Sequence, residues 1–167
     1  CEIANGIPGL NLFVSLHSNA AGSSGWSSAS GWSEYIYGPG GDREKAAQDI
    51  LAAVKAAGIT VRSTPIVYDP GLYVLKHTVA PAVLLEQGFH TNQGDVANLK
   101  DAAYRQRLAE AEAKGILTYL GIPWKEDTAN TDFERAIQWV RENGIMLGNT
   151  DGDMMLDQPV TRKQFAV

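Results

Sequence analysis

LNLFVSLHSNA, residues 10–20, and PAVLLEQGFHTNQGD, residues 81–95, decide the fold. In each, a dense apolar run is followed by a polar side chain, His17 in the first and Glu86 in the second. A buried strand reads this way where its last side chain emerges at a sheet edge. Pro81 precedes the second run, a place where a strand tolerates the missing N–H. Outward from His17, residues 19–31 (NAAGSSGWSSASG) have no period that could bury a face and are expected to be a mobile loop. Residues 33–37 (SEYIY) predict a short strand, and GPGGD at 38–42 breaks it and offers Asp42 as a helix N-cap. Over residues 43–57, Ala47, Ile50, Leu51 and Val54 keep i, i+3, i+4 spacing, and Gly58 stands where a left-handed C-cap belongs. Residues 59–67 predict another strand. A second helix is expected over 102–120, with Ala109, Ala113, Ile116, Leu117 and Leu120 on one stripe and Gly121 and Pro123 as its stop.

Strands alternating with helices of these lengths predict an α/β fold, a largely parallel or mixed sheet covered by helices. Ligands in such sheets gather at the carboxyl ends of the strands. His17 and Glu86 both fall there, so they are candidates to face one another.

Composition narrows the classes. With 167 residues, 44% of them hydrophobic, the chain can bury one proper core and a small second unit. A formal net charge of -5 offers no electrostatic footprint for a phosphate backbone, so nucleic acid is excluded as a partner. The longest apolar runs fall far short of the ~20 residues of a membrane-spanning helix, and no membrane span is expected. The single cysteine, Cys1, rules out an internal disulfide and a cysteine-rich zinc site. No G-x-S-x-G elbow, P-loop or dinucleotide fingerprint occurs, which disfavours serine hydrolase and nucleotide chemistry.

Polar residues 123–131 form a linker, and the composition changes after it. Thr131 and Glu134 make a capping-box pair ahead of Phe133, Ala136, Ile137 and Val140, with Gly144 as the stop. After the turn-rich GNTDGD at 148–153, a second pair at Thr161 and Gln164 opens another helix. Residues 132–167 therefore predict a small helical C-terminal appendage.

FVSLHSNA (13–20) and PAVLLEQGFHTNQGD (81–95) resemble the two C-terminal signatures of the zinc-dependent N-acetylmuramoyl-L-alanine amidases of the amidase-3 family. The resemblance extends to Ile3, Ala4 and Asn5, to SGWSEYIYG and to KGILTYLGI, and so spans residues 1–122 as the C-terminal portion of such a catalytic domain. It implies a secreted or phage-encoded peptidoglycan hydrolase at the cell wall, with Zn2+ as cofactor and the muramoyl-L-alanine amide as target. By the same resemblance His17 is a metal ligand and Glu86 the catalytic acid-base group. Neutral imidazole suits zinc, and a carboxylate beside the metal can take a proton from attacking water and return it to the leaving amine. The family's other ligands, a histidine in a Gly-His-Gly-Gly segment and a glutamate, find no match here. The chain is thus expected to be a fragment, inactive alone, whose upstream part completes the site.

Asn19 and Asn92 are expected to fix the loops after each strand beside the substrate, and Trp26 and Trp32 to touch glycan or stem peptide or to pin the loop. His77 and His90 are expected to be supporting residues, although they or Glu34 could be recruited as ligands. FERAIQWVRENGIMLGNTDGDMMLDQPVTRKQFAV (133–167) is similar to an S-layer homology repeat lacking its last helix, which implies a secondary cell-wall polymer as a further partner, with Arg162 as the contact. Two other readings stand beside the amidase: a catalytically inactive amidase-like wall-binding module, and a zinc peptidase acting on stem peptides.

Overall fold

The computed structural model describes residues 1–22 and 24–125, and its first compact unit is Cys1–Trp124. The appendage expected at 132–167, with Arg162, and most of the linker lie outside the described residues. Four strands, β1 (Phe13–Asn19), β2 (Trp32–Ile36), β3 (Val61–Tyr68) and β4 (Ala82–Phe89), form one sheet in the order β1-β4-β2-β3. β1 runs parallel to β4 and β2 parallel to β3, while β2 and β4 are antiparallel. The sheet is therefore mixed, as the alternation of elements predicts. Pro65 falls on β3, an edge strand, where a missing N–H leaves no ladder bond broken between two neighbours.

Five helices accompany the sheet among the described residues: α1 (Glu2–Asn5), α2 (Gly41–Ala56), α3 (Tyr73–His77), α4 (Gln93–Lys100) and α5 (Ala102–Leu120). α2 is the crossover that parallel neighbours such as β2 and β3 require. It starts at Gly40, whose φ of 83° suits glycine, so Asp42 sits in the first turn and not at the N-cap the sequence predicts. There its charge still complements the helix dipole, and Glu44 reaches back to accept from the Gly40 N–H. Gly58 follows the helix at φ 72°, as expected of a left-handed stop.

The main core lies on one face of the sheet. Trp32 and Ile36 of β2 and Val83 and Leu85 of β4 pack on Ala46, Ala47, Ile50 and Val54 of α2 and on Leu108 and Ala111 of α5. Each large aliphatic side chain buried here contributes about 1.5–3 kcal/mol. The buried stripe of α5 is Leu108, Ala111, Glu112 and Gly115, whereas Ala109 and Leu120 of the predicted stripe are exposed. Alanines on every side of α5 hide its true face, and a buried glutamate in that face breaks the apolar pattern. On the opposite face, Leu75 of α3 packs with Ala82 and Leu84, flanked by Phe13 and Tyr35. Alternation along β4 thus sends Val83 and Leu85 toward α2 and α5, and Ala82, Leu84 and then Glu86 toward the α3 side.

Gly115 brings the α5 backbone against α2, since a Cβ there would run into the backbone of Ile50 and Asp49. Alanine favours a helix interior by about 1 kcal/mol over glycine, but forcing two packed helices apart costs about 1–3 kcal/mol. Gly115→Ala is accordingly expected to lower the urea midpoint, and an unchanged or raised midpoint would show that the helices separate freely.

Candidate active site

β1 and β4 bring the two singled-out residues together. His17 and Glu86 are Cα partners in the parallel ladder. Neither ends its strand, because β1 continues to Asn19 and β4 to Phe89. A bulge comes directly after them: His17 pairs with Glu86 but Asn19 pairs with Phe89, so β4 carries one extra residue. Gly88, at φ 140°, supplies the conformation, and a side chain there would press on Asp95. Bulges of this kind bend a strand and re-aim its side chains, here just past the His17–Glu86 pair.

His17 is exposed, and Ser15 Oγ lies 2.8 Å from its Nε2. Ser15, two residues back on the same strand face, thereby engages one ring nitrogen, and the other could serve as a ligand atom. Glu86 is half-buried, and burial pushes its carboxyl up to about 7. Its Oε2 is buried without a hydrogen-bond partner. A carboxyl poised there can both take and give a proton near neutrality.

The other expected site residues divide. Asn19 donates from Nδ2 to Tyr35 Oη at 3.3 Å across β4, and its Oδ1 accepts from the Ala20 N–H, so it closes the end of the site face. Asn92 caps α4, accepting from the N–H groups of Gly94 and Asp95, while its Nδ2 donates to the Ser27 carbonyl at 3.0 Å. Both its ends are thus taken up in tying the Gly/Ser loop to the turn after β4. The same loop is tied by Ser27 N–H to Thr91 O, Ala21 N–H to Thr91 Oγ1 and Gly31 N–H to Asp95 Oδ2. The loop expected from composition to be mobile is held by these bonds. Trp26 on it is 62% exposed, whereas Trp32 is fully buried in the core and cannot meet a substrate.

Among the described residues, no three His, Cys, Asp or Glu side chains cluster as a metal site. His77 stacks on Tyr73, with its Nδ1 3.1 Å from the Tyr73 carbonyl, and His90 Nδ1 lies 3.1 Å from Ser18 Oγ. Glu34 belongs to the strand face opposite that of His17 and is fully buried. The described residues therefore offer one ligand-type imidazole, His17, beside one carboxyl, Glu86. Ser15, Tyr35 and Asp95, which support the site, lie within the quoted stretches, but the sequence reading gives none of them a role. Alternation along β1, Ser15 then His17 then Asn19, is the signal that points to the first of them.

The family model described as N-acetylmuramoyl-L-alanine amidase matches residues 1–118. The chain is 31% identical over 109 residues to the N-acetylmuramoyl-L-alanine amidase LytC of Bacillus subtilis, an overlap of 65% of this chain and 21% of that protein. Among solved structures, it resembles the CwlD amidase of Clostridioides difficile, seen in complex with the GerS lipoprotein, with a TM-score of 0.64 and 28% identity over 72% of this chain and 59% of that one. The catalytic domain of CwlV from Bacillus (Paenibacillus) polymyxa var. colistinus aligns with a TM-score of 0.58 and 33% identity over 68% and 59% of the two chains. The chain spans about half or less of the length of the curated relatives it matches.

Proposed function

The chain belongs to the N-acetylmuramoyl-L-alanine amidase family, and from that membership we propose that it carries the proton-transferring half of a zinc-dependent peptidoglycan amidase site. The bond cut is the amide between N-acetylmuramic acid and the L-alanine of the stem peptide. The observation that carries this reading is His17 and Glu86 side by side on parallel strands, with Glu86 held near 7 by burial.

An exposed imidazole whose other ring nitrogen is held by Ser15 fits one position of a zinc site. Zinc, when bound, supplies Lewis acidity to the scissile carbonyl. Catalytic zinc normally has three protein ligands, so the remaining donors would come from outside the described residues, and the 167-residue chain alone would be inactive. Glu86, ionised, takes the proton of the attacking water and then returns it to the departing L-alanine nitrogen. Asn19 and Trp26 would border the substrate, and Asn92 would act on it only by holding their loop. At the wall, residues 132–167 would bind a secondary cell-wall polymer, with Arg162 as the contact, and the enzyme would work outside the cell.

Two measurements test this. Zinc titration of the 167-residue chain, and of a version extended upstream, should give tight binding only in the longer protein, and His17→Ala should weaken it about tenfold or more. Digestion of peptidoglycan by the longer protein should free peptides that begin with L-alanine. Cleavage within the stem peptide would identify a zinc peptidase, and wall binding without cleavage would identify an inactive module.

A further inference from the structure

β2 contributes to the site face a residue that the proposed mechanism leaves unused. Ser33 lies directly across from Glu86 in the antiparallel β2–β4 register. Directly opposed residues point to the same face, with Cβ atoms ~4.5–5.5 Å apart. The next pair, Tyr35 opposite Leu84, has the same parity, since both belong to the apolar cluster on the α3 side. Ser33 is 0% exposed, and its Oγ has no hydrogen-bond partner, just as the buried Oε2 of Glu86 has none. A buried hydroxyl and a buried carboxyl oxygen left unpaired are each costly. A donor facing an acceptor removes both penalties through a side-chain rotation. The neighbours of Ser33 cannot serve, because Trp32 and Glu34 point to the other face of the sheet.

We propose that Ser33 is a positioning residue for Glu86, donating its hydroxyl proton to Oε2 so that the carboxyl keeps one orientation while Oε1 exchanges the proton. A neutral donor suits this role because it fixes direction without a positive charge that would lock the carboxyl in its ionised form. The inference rests on the reading of Glu86 as the acid-base group.

In the zinc-loaded enzyme, Ser33→Ala should lower kcat roughly ten- to a hundredfold with KM within about twofold, and Ser33→Thr, which keeps the hydroxyl, should restore most of the loss. In the metal-free 167-residue chain, the 13C resonance of Glu86 Cδ should move in Ser33→Ala and return in Ser33→Thr, with the remote Glu44 as a fixed reference. An unmoved Glu86 signal overturns the inference whether or not kcat falls, since altered packing alone could lower kcat. Glu86→Gln separates the two ideas: if it is inactive while Ser33→Ala is normal, only the role of Ser33 fails, and if it is active, the reading of Glu86 fails as well.

Discussion

Replacing Glu86 with glutamine is expected to lower turnover by roughly 10²–10⁴-fold, the usual worth of a positioned general acid-base group, while leaving the fold intact. Glutamine keeps the shape of the side chain, and its amide oxygen can still accept from the Ser33 hydroxyl. The fold should not suffer either. Burial raises the carboxyl from 4.5 to about 7, so folding takes up a proton at Glu86 between those values, and its share of stability falls as pH rises through that window. A neutral amide removes that loss. The measurement is release of L-alanine amino groups from purified peptidoglycan, beside a thermal melt of each variant. Retention of more than about a tenth of the activity would transfer the proton work to another group.

The same burial fixes the direction of the pH profile. As a base Glu86 must be ionised, so the rate should fall as pH drops through its pKa, which 13C titration of the metal-free chain should place near 7. On the proposed reading, a cation at His17 would stabilise the ionised form, so the acid limb of the loaded enzyme should lie at or below that value. Titration at an ordinary carboxylate position in the metal-free chain would show that water reaches Glu86 freely.

Local pattern in the sequence carries the strands and the longer helices. Apolar runs before His17 and Glu86 place the two at corresponding positions of strands that parallel pairing makes neighbours, but only β4 is buried: β1 is an edge strand with no buried residue and with Leu16 56% exposed. The helix over α2 follows from the spacing of Ala47, Ile50 and Val54, all buried. Features that depend on distant partners escape such reading. α3 is five residues long, too short for a period to declare itself, and it exists because Leu75 seals the second face of the sheet. The bulge at Gly88 needs the carboxylate of Asp95, which accepts from the N–H groups of Phe89 and Gly31. Asn92 looks like a substrate contact in the motif, yet its hydrogen-bonding capacity is spent on the α4 cap and the loop. Ser33 reads as an ordinary polar member of a strand and Glu34 as a ligand that could be recruited, and only the packing of helices on both faces shows that neither meets water.

Glu34 leads to the second large effect, on stability. It lies at 0% exposure on the α2 and α5 side of β2, and neither carboxyl oxygen has a hydrogen-bond partner. Burial, and after it the charge of Glu112, push its carboxyl up to about 9. Glu112 is also raised by burial, but it accepts from Trp32 Nε1 at 2.9 Å and Gln87 Nε2 at 3.0 Å, which partly offset that rise. The two acids share one core yet divide the roles: Glu112 holds the hydrogen bonds, and Glu34 remains protonated. Below pH 4.5 Glu34 is protonated folded or unfolded and adds no pH dependence. From 4.5 to about 9 only the unfolded chain releases the proton, so stability falls by about 1.4 kcal/mol per pH unit, on the order of 3 kcal/mol by pH 7. Glu34→Gln has no proton to retain. Its stability relative to the parent should therefore rise with pH at that rate above pH 5, with the whole difference lowered by the fixed cost of an unpaired amide. Urea unfolding of both chains across pH 5–8 reads this directly, because most other titrating groups cancel in the difference. Parallel curves would mean that Glu34 ionises in place, which requires water or a cation inside the core beside Glu112.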